Sequence, residues 1–361
     1  MQAIRSFLIG CAVVLSTSTA QALQPATDSA NFTAALTLFQ QDQHAEAYAG
    51  FQQLMPFGSA DAAYLLGMMY IQELGVDYNP VASLAYLQSA ERWGDQRAAN
   101  VIAQIKPHLS AAEQADAEQR SSAHEEQLLV AYGEHIAPGE PITREAVRRA
   151  MPEYPKDAIM EGVHSWLDVI IGIDSRGRII AVQPLNNADR RFVRAFNRVA
   201  SSWRFQPSSE MSLQPVRLTY TIGNSATDES VLADVERDYQ ENLVLAGAGV
   251  QQNQLRIAGL TQLWIAHDSS AADRLPSANT WYERAARNGS VSAQRYLAIH
   301  DGHLGWANYL ISQNDLDVMV WHGVRLFTQS PRAEDQVRGK QLVDDAGRAG
   351  NRVARDFLRF M

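Results

Sequence analysis

Two histidines stand three positions apart in the run His300-Asp301-Gly302-His303, and imidazole is a common zinc ligand. A zinc site in a protein needs at least three protein ligands, and the spacing of this run fixes no third one. Gly302 also indicates a loop. The run is therefore interpreted as a polar turn between helices, and we expect no bound metal.

Other side chains that could carry chemistry lack the pattern that the chemistry needs. The run Gly247-Ala248-Gly249 has neither the third glycine nor the preceding strand of a nucleotide-binding loop, so it is interpreted as a hinge. The sequence has no Gly-x-Ser-x-Gly elbow, although the members of a Ser-His-Asp triad are recognised by geometry and not by spacing. We expect no catalytic residue, no cofactor and no enzyme activity, with a hydrolase that lacks a sequence signature as the minor alternative.

The composition is that of a soluble globular protein, with 46% hydrophobic and 20% charged residues in a chain of 361 residues. That length allows two or three domains, each with its own core. The formal net charge of -9 disfavours nucleic acid and anionic lipid as partners, because both recruit clustered lysine and arginine. The one cysteine, Cys11, stands in the amino-terminal apolar run, so the rest of the chain has no thiol chemistry.

The amino-terminal residues have the pattern of an export signal. Arg5 supplies a positive start, Phe7 to Leu15 form an apolar core, and Ala20-Gln21-Ala22 fits the small-x-small cleavage pattern. The apolar run is about half of the roughly 20 residues that a membrane helix needs. We expect cleavage of residues 1–22, a periplasmic mature chain and no membrane span in that chain.

Two alternatives for the location stay open. The run Leu8-Ile9-Gly10-Cys11 also fits a lipobox, which would place a lipid anchor on Cys11. An uncleaved amino terminus would instead anchor the chain in the inner membrane.

Residues 31–125 carry apolar side chains at helical spacing throughout. The segment from Ala60 to Gly94 is the most regular, because small residues recur where two antiparallel helices would approach and large residues fill the space between them. The small residues are Ala63, Gly67, Ala82 and Ala90, and the large ones are Tyr64, Tyr70 and Leu84. We expect Gly94 to end the second helix in the left-handed conformation. The segment resembles Sel-one-type repeats, which are longer relatives of the tetratricopeptide repeat, and the resemblance implies neighbouring helix pairs that stack on it.

A second block of helical repeats is expected over residues 230–361. The run from Ala278 to Gly289 is similar to the second helix of the same repeat. Within it, Trp281 and Tyr282 are interpreted as repeat core, with a ligand groove as the alternative. A fainter copy follows from Gly339 to Leu358.

Between residues 138 and 224 the apolar period changes from helical spacing to alternation. The predicted first strand carries Val163, Leu167, Val169, Ile171 and Ile173 on one face. The run Asp174-Ser175-Arg176-Gly177 predicts a tight turn into the second strand. The predicted elements are a short helix near Arg144 to Met151, strands at 163–173 and 178–182, a helix at 189–202 and a strand at 215–222.

This region resembles the C-terminal domain of the TonB family over about residues 144–223. The matching landmarks are Ala150-Met151-Pro152-Glu153-Tyr154-Pro155, Val169 to Asp174 with Gly177, Trp203-Arg204-Phe205-Gln206-Pro207, and Pro215-Val216. The resemblance implies a three-stranded antiparallel sheet with a helix on one face, whose outer strand recruits an extended peptide from an outer-membrane transporter. A sheet edge suits that task because its main-chain donors and acceptors are unpaired. The expected fold class is a multidomain α+β chain, in which all-α solenoid blocks flank this small domain.

The resemblance also gives the candidate partner-binding residues. The edge strand would comprise Pro215, Val216, Arg217, Leu218, Thr219, Tyr220, Thr221 and Ile222. The aromatic residues that would flank or support it are Tyr154, Trp203 and Phe205. For these three, two interpretations stay open: packing of the helix on the sheet, or direct contact with a partner.

The function predicted from the sequence is a periplasmic adaptor that binds a protein or an extended peptide. The TonB resemblance implies an outer-membrane receptor as the partner and a link to TonB-dependent transport. Energy transducers of that family carry an uncleaved membrane helix and a proline-rich spacer, and the sequence shows neither pattern. One alternative is therefore a transducer component whose membrane anchor comes from another protein. A further alternative is a structural scaffold whose sheet edge is covered by its own helices.

Overall fold

The computed structural model describes residues 31–132, 143–163, 165–186, 188–220, 222 and 229–361. The expected export signal, residues 1–22, and the candidate edge residue Thr221 lie outside the described residues. Within them the chain is mostly helical, with sixteen α-helices and two small antiparallel sheets. The described residues of 31–129, 242–255 and 284–290 form one compact unit, called unit 1, and those of 130–241, 256–283 and 291–361 form another, called unit 2.

Unit 1 contains six complete helices in its described residues. They are α1 (Phe32–Gln40), α2 (His44–Gln52), α3 (Ala60–Gln72), α4 (Pro80–Arg92), α5 (Arg97–Ile105) and α6 (Ala111–Glu126). Side-chain caps fix several of their starts: Ser59 accepts from the N–H of Ala62 (3.1 Å), and Asn79 accepts from that of Ala82 (2.9 Å). These bonds satisfy main-chain donors that a helix start leaves without a partner.

Helices α3 and α4 approach closely at the small residues that the sequence singled out. The hydroxyl of Ser83 donates to the carbonyl of Gly67 (2.7 Å), and a Cβ on Gly67 would lie 2.6 Å from Cγ of Leu87. Gly94, just after α4, has a φ of +99°, as the sequence predicted. The assignment of this helix pair to the Sel-one-type repeat stays a prediction.

The buried carboxylate of Asp61 joins sequence-distant segments of unit 1. It accepts from Arg97 Nη2 (2.8 Å), Arg284 Nε (2.8 Å) and Asn288 Nδ2 (2.8 Å). Burial alone would raise the pKa of this carboxyl, but the two guanidiniums outweigh it and hold the pKa below its usual range. A charged carboxylate therefore sits in the interior with its hydrogen-bonding capacity used.

Unit 2 contains both sheets. Its strands and the helices among them are β1 (Ala146–Arg148), α7 (Lys156–Met160), β2 (Ser165–Ile173), β3 (Ile179–Pro184), α8 (Arg190–Ala200), β4 (Arg204–Phe205) and β5 (Ser212–Tyr220). The larger sheet is antiparallel in the order β3-β2-β5, and β1 pairs with β4. The turn between β2 and β3 has Gly177 at a φ of +78°, and the N–H of Gly177 donates to the carbonyl of Asp174 (3.0 Å).

One face of the larger sheet packs on α8. The apolar residues of β2 that the alternation placed together, Leu167 to Ile173, form a core with Phe192 and Phe196 of α8. The residues of β2 between them point to the other face, yet every residue of β2 is buried. The sheet is therefore covered on both sides, and this differs from a sheet with one solvated face.

The remaining helices of the described chain follow the sheet in sequence. They are α9 (Glu229–Gly247), α10 (Gln251–His267), α11 (Ala278–Arg287), α12 (Val291–Tyr296), α13 (Leu304–Ser312), α14 (Leu316–Gln329), α15 (Ala333–Arg348) and α16 (Arg352–Leu358). Of these, α10 and α16 pack against the second face of β2. The ring of Phe357 on α16 lies so close to Gly172 that a Cβ there would be 2.5 Å from it. The ring of Trp166 on β2 lies closer still to Gly259 of α10, where a Cβ would be 1.5 Å from Cζ2. Both glycines are in elements where any side chain would push the layers apart.

Two expectations about this region were wrong in detail. The segment from Arg144 to Met151 is not a helix, because Ala146–Arg148 extends as β1 and pairs with β4. The last strand begins at Ser212, not at Pro215. Pro215 lies within this strand at a position on the outer edge, where the sheet needs no N–H from it, so the proline does not mark the start of the strand. The predicted domain boundaries at 125, 138, 224 and 230 stay predictions.

None of the helices in the described part of the chain combines the length and the apolar character needed to cross a membrane.

Candidate functional site

Strand β5 forms one edge of the larger sheet. Nine consecutive residue pairs join it to β2, from Ser165 opposite Tyr220 to Ile173 opposite Ser212. The structure therefore places the predicted run from Pro215 to Tyr220 at a sheet edge.

The main-chain groups of alternate β5 residues point away from β2. The N–H of Asp168 donates to Asn186 Oδ1 (3.0 Å), and the carbonyl of Asp168 accepts from the N–H of Leu185 (2.8 Å), so both groups face the β3 side. Arg217 stands opposite Asp168. The pair is therefore a non-hydrogen-bonded one, in which the N–H and carbonyl of Arg217 point outward.

The neighbouring pairs follow the same alternation. The carbonyl of Trp166, opposite Thr219, accepts from Asn186 Nδ2 (3.1 Å) on the β3 side, so the N–H and carbonyl of Thr219 also point outward. Pro215 has no N–H to donate and fits the next outward position. Between Pro215 and Thr219 the outer edge of β5 thus presents two N–H groups and three carbonyls, and no other strand in the described residues pairs with it.

A cleft of about 170 Å³ lies at the Tyr220 end of this edge. It is lined on one side by Leu218, Thr219 and Tyr220 of β5. The other side is the segment from Met151 to Tyr154, which we call the facing segment; Met151, Pro152 and Tyr154 line the cleft. The cleft surface is mixed, with slightly more polar than apolar surface, and the exposed Met151 is a flexible side chain that can adapt to what it contacts.

The two tyrosines of the cleft differ in what their hydroxyls bind. The hydroxyl of Tyr154 donates to the carbonyl of Val163. The hydroxyl of Tyr220 is buried and has no hydrogen-bond partner among the described residues, although the rings pack edge to face at 5.7 Å. Burial raises the pKa of Tyr154 and raises that of Tyr220 to about 12. Tyr220 is therefore a neutral hydroxyl with unused hydrogen-bonding capacity.

The other two aromatic candidates lie in the core. Trp203 and Phe205 are buried beside Phe196, and Trp203 Nε1 donates to the carbonyl of Ala150 (2.8 Å). That bond holds the chain immediately before the facing segment. The positions of Trp203 and Phe205 agree with the interpretation that they pack the helix on the sheet. Direct contact of either ring with a partner stays a prediction.

The remaining candidates divide between the two faces of β5. Leu218 and Val216 point to the α8 side with Tyr220, and Pro215 and Thr219 are exposed. Arg217 points to the second face, where its guanidinium makes a two-pronged ion pair with Asp168 (2.5 and 2.7 Å). Ile222 is half-buried. The structure thus brings Tyr154, Leu218, Thr219 and Tyr220 together at one cleft.

Met151 and Pro152 line the cleft but were absent from the predicted site. The sequence contained a signal for them, because both belong to the Ala150 to Pro155 landmark that carries the family resemblance. Their position across from β5 depends on pairing between distant segments, which the local sequence does not encode.

The His300 to His303 run lies in a turn. Residues Leu297–Asp301 form a single π-helical turn, Gly302 follows with a φ of +71°, and His303 caps α13 by accepting the N–H of Trp306 at Nδ1 (3.3 Å). In the described residues no three acidic, histidine or cysteine side chains gather as metal ligands. Tyr282 is buried and stacks on Tyr296 at 3.8 Å, in the core of unit 2.

No protein-family model matches this chain, and no curated protein matches its sequence. The solution NMR structure of the Pseudomonas aeruginosa TonB C-terminal domain is similar to part of the chain, with 22% sequence identity and a TM-score of 0.21. The similarity covers 24% of this chain and 93% of that one. The geometry of the β5 edge is established by the hydrogen bonds of this chain itself.

Proposed function

We propose that this chain is a non-catalytic adaptor that binds an extended segment of a partner protein by strand addition at the outer edge of β5. The observation that carries the proposal is the set of outward main-chain groups on Pro215, Arg217 and Thr219. An added strand would satisfy these groups with its own main chain, and this gives affinity with little dependence on side chains.

The surroundings of the edge support this mode of binding. Pro215 and Thr219 are exposed, so a peptide can approach the strand. The ion pair between Arg217 and Asp168 and the covered second face fix β5 in the sheet, so the edge is presented in a defined conformation. A preorganised edge reduces the ordering cost of binding.

The finer parts of the proposal come from the sequence patterns. The pattern of the first 22 residues favours export to the periplasm. The TonB-like landmarks favour an outer-membrane receptor as the partner and a role linked to TonB-dependent transport. The absence of any catalytic pattern in the sequence favours binding over chemistry.

Thr219→Pro tests strand addition, because it deletes an outward N–H that makes no bond inside the sheet. A photoreactive residue at Met151, across the cleft, would report on a bound segment. We expect crosslinks that mass spectrometry maps to one extended segment of a partner, lost in the Thr219→Pro chain. The matched control Thr219→Ala keeps the N–H and should keep the crosslinks, and a photoreactive residue at the exposed Gln341 should not capture that segment.

Circular dichroism and the thermal midpoint should be close to wild type in both Thr219 variants, since the sheet loses no hydrogen bond. Crosslinks that survive Thr219→Pro, or that join Met151 only to helices of the same chain, would contradict strand addition.

A second candidate function is architectural. It is favoured by the helices that cover the second face of the sheet at Gly172 and Gly259. In that case the role of the sheet is to hold helices of unit 2 together, and crosslinking from Met151 would capture no partner protein.

A further inference from the structure

The hydroxyl of Tyr220 is a buried side-chain polar group of a residue in the cleft, and it has no hydrogen-bond partner within the described residues. The residue is 5% exposed, and its oxygen is buried without a hydrogen-bond partner. Buried polar groups in native proteins are bonded in the large majority of cases, so an exception needs an explanation. Tyr220 lines the cleft, and that cleft is open beside a strand edge.

We propose that the cleft receives one uncharged side chain that ends in a hydrogen-bond acceptor, such as threonine, asparagine or glutamine, and that the Tyr220 hydroxyl recognises it. This inference rests on the proposed strand addition, since the side chain arrives as part of the peptide that pairs with β5. Recognition by Tyr220 would make binding depend on the peptide sequence at one position, whereas main-chain pairing with β5 depends little on that sequence.

The size of the cleft suits one such side chain. Its volume of about 170 Å³ is close to that of an engineered cavity of about 150 Å³ that holds one benzene molecule. Met151, Pro152 and Leu218 would contact the apolar stem of the side chain. Because the Tyr220 oxygen is buried in the free chain, the acceptor would reach it once the flexible side chain of Met151 or the Tyr220 ring itself moves aside.

The electrostatic setting favours an uncharged acceptor. Burial raises the pKa of Tyr220 to about 12, and burial next to this hydroxyl would likewise disfavour a charged carboxylate. Among the described residues that line the cleft, none is a lysine or an arginine that would compensate such a charge. A wholly apolar side chain would fit but would leave the hydroxyl buried and unbonded, which is the costlier state.

The register of strand addition fixes which peptide positions can enter. Residues opposite each other on neighbouring strands share a face. The recognised side chain must therefore lie on the same face as Leu218 and Tyr220, so the preference should appear at one position of the peptide and not at the positions on either side.

The test uses a displayed library of random linear peptides, selected against the mature chain and against three variants. Tyr220→Phe removes only the hydroxyl, Thr219→Pro blocks strand addition, and Tyr48→Phe makes the same chemical change in unit 1, where the Tyr48 hydroxyl bonds to that of Tyr70 (2.8 Å). We expect the wild type and Tyr48→Phe to select peptides with threonine, asparagine or glutamine at one position. Tyr220→Phe should still select extended peptides but without that preference.

The size of the preference is measured with two synthetic peptides that differ only in having asparagine or leucine at the selected position. The wild type should bind the asparagine peptide about tenfold more tightly, and Tyr220→Phe should bind the two alike or prefer leucine. Tyr220→Phe should fold with an unchanged or higher thermal midpoint, because it removes a hydroxyl that has no partner in the described residues.

The outcomes separate the two proposals. Peptides that bind the wild type and Tyr220→Phe with the same preference, and are lost with Thr219→Pro, would overturn the role of Tyr220 and leave strand addition standing. A wild type that retains no peptide relative to Thr219→Pro would overturn both. A wild-type dimer that Thr219→Pro converts to a monomer in light scattering would identify a second copy of this chain as the occupant and would overturn the peptide assignment.

Discussion

The carboxylate of Asp61 in unit 1 and the imidazole of His322 in unit 2 are both buried ionisable groups, but they differ in their partners. Asp61 accepts hydrogen bonds from two arginines and an asparagine. Neither ring nitrogen of His322 has a hydrogen-bond partner among the described residues. The pKa of Asp61 is lowered, which keeps it charged, and the pKa of His322 is lowered to about 4, which keeps it neutral.

The difference shows two ways to bury an ionisable group. In unit 1 the charge is kept, and its partners come from residues 97, 284 and 288, so the carboxylate also ties separate segments together. In unit 2 the charge is given up, because burial and the nearby Arg325 and Arg338 disfavour the imidazolium more than Asp335 favours it. In the first arrangement stability depends on each partner of the buried charge, and in the second it depends on the imidazole staying neutral.

The Tyr220 hydroxyl is a third case, because it is neutral and unbonded among the described residues and belongs to a residue that lines an open cleft. Unlike the carboxylate of Asp61, this hydroxyl makes no hydrogen bond to another segment among the described residues, so such a bond does not explain its burial. An unsatisfied group in a closed interior only costs stability, whereas one at an open edge can be satisfied by a ligand. The position of an unbonded group thus decides whether it indicates a binding site.

The largest effect is expected from Asp61→Ala. It leaves the side chains of Arg284 and Asn288 facing a buried space without their anion, and breaking a buried pair in this way costs about 3–5 kcal/mol. The free energy of unfolding from urea denaturation should fall by that amount. Peptide binding at β5, where the chain is still folded, should not change in sequence preference.

Asp116→Ala is the matched control for this substitution. Asp116 pairs with Arg120 one helical turn away on the surface of α6, so its loss should hardly change the unfolding free energy. Equal losses for the two aspartates would show that the Asp61 cluster contributes no more than a surface pair. The contribution of Asp61 should also decline as the pH falls below its unfolded pKa near 4, because its pKa is lower in the folded chain.

A smaller, pH-dependent effect is expected from His322. Its folded pKa of about 4 lies below the usual 6.5, so between these values the unfolded chain binds more protons than the folded one. Stability should therefore fall as the pH is lowered through this window, by at most about 1.4 kcal/mol for each pH unit. His322→Leu should remove that part of the slope and raise the unfolding free energy at pH 5 relative to wild type.

A slope that persists in His322→Leu would mean that other groups of the chain account for it.

These buried groups also mark the limit of what the sequence predicted. The alternation from Leu167 to Ile173, the turn at Gly177 and the helical spacing from Phe192 to Phe196 each concern neighbours within a few residues, and the structure has all three. The local pattern suffices there because hydrophobic period and turn chemistry act over short separations.

The features that sequence reasoning missed depend on distant residues. The strand at Ala146–Arg148 exists through its pairing with Arg204 and Phe205, and its own residues were read as a helix. The alternation of β2 did not reveal that Phe357 covers its second face. Asp61 gave a faint signal, as an acidic residue in a helix of small apolar ones, but its partners lie up to 227 residues away.

The smallest effects are expected at two glycines, one in each unit, of which the repeat pattern identified Gly94 as a helix end. Gly94 after α4 and Gly350 after α15 have φ values of +99° and +101°, and a Cβ at either would meet no atom within 4 Å. Alanine at each site should therefore cost only the backbone strain of the left-handed conformation, about 1–2 kcal/mol. Urea denaturation of Gly94→Ala and Gly350→Ala measures the two costs, and Gly94→Asn should recover part of the loss because asparagine tolerates this conformation better. A much larger loss at Gly350 than at Gly94 would mean that the carboxyl-terminal helix turn carries packing that the open space around its glycine does not show.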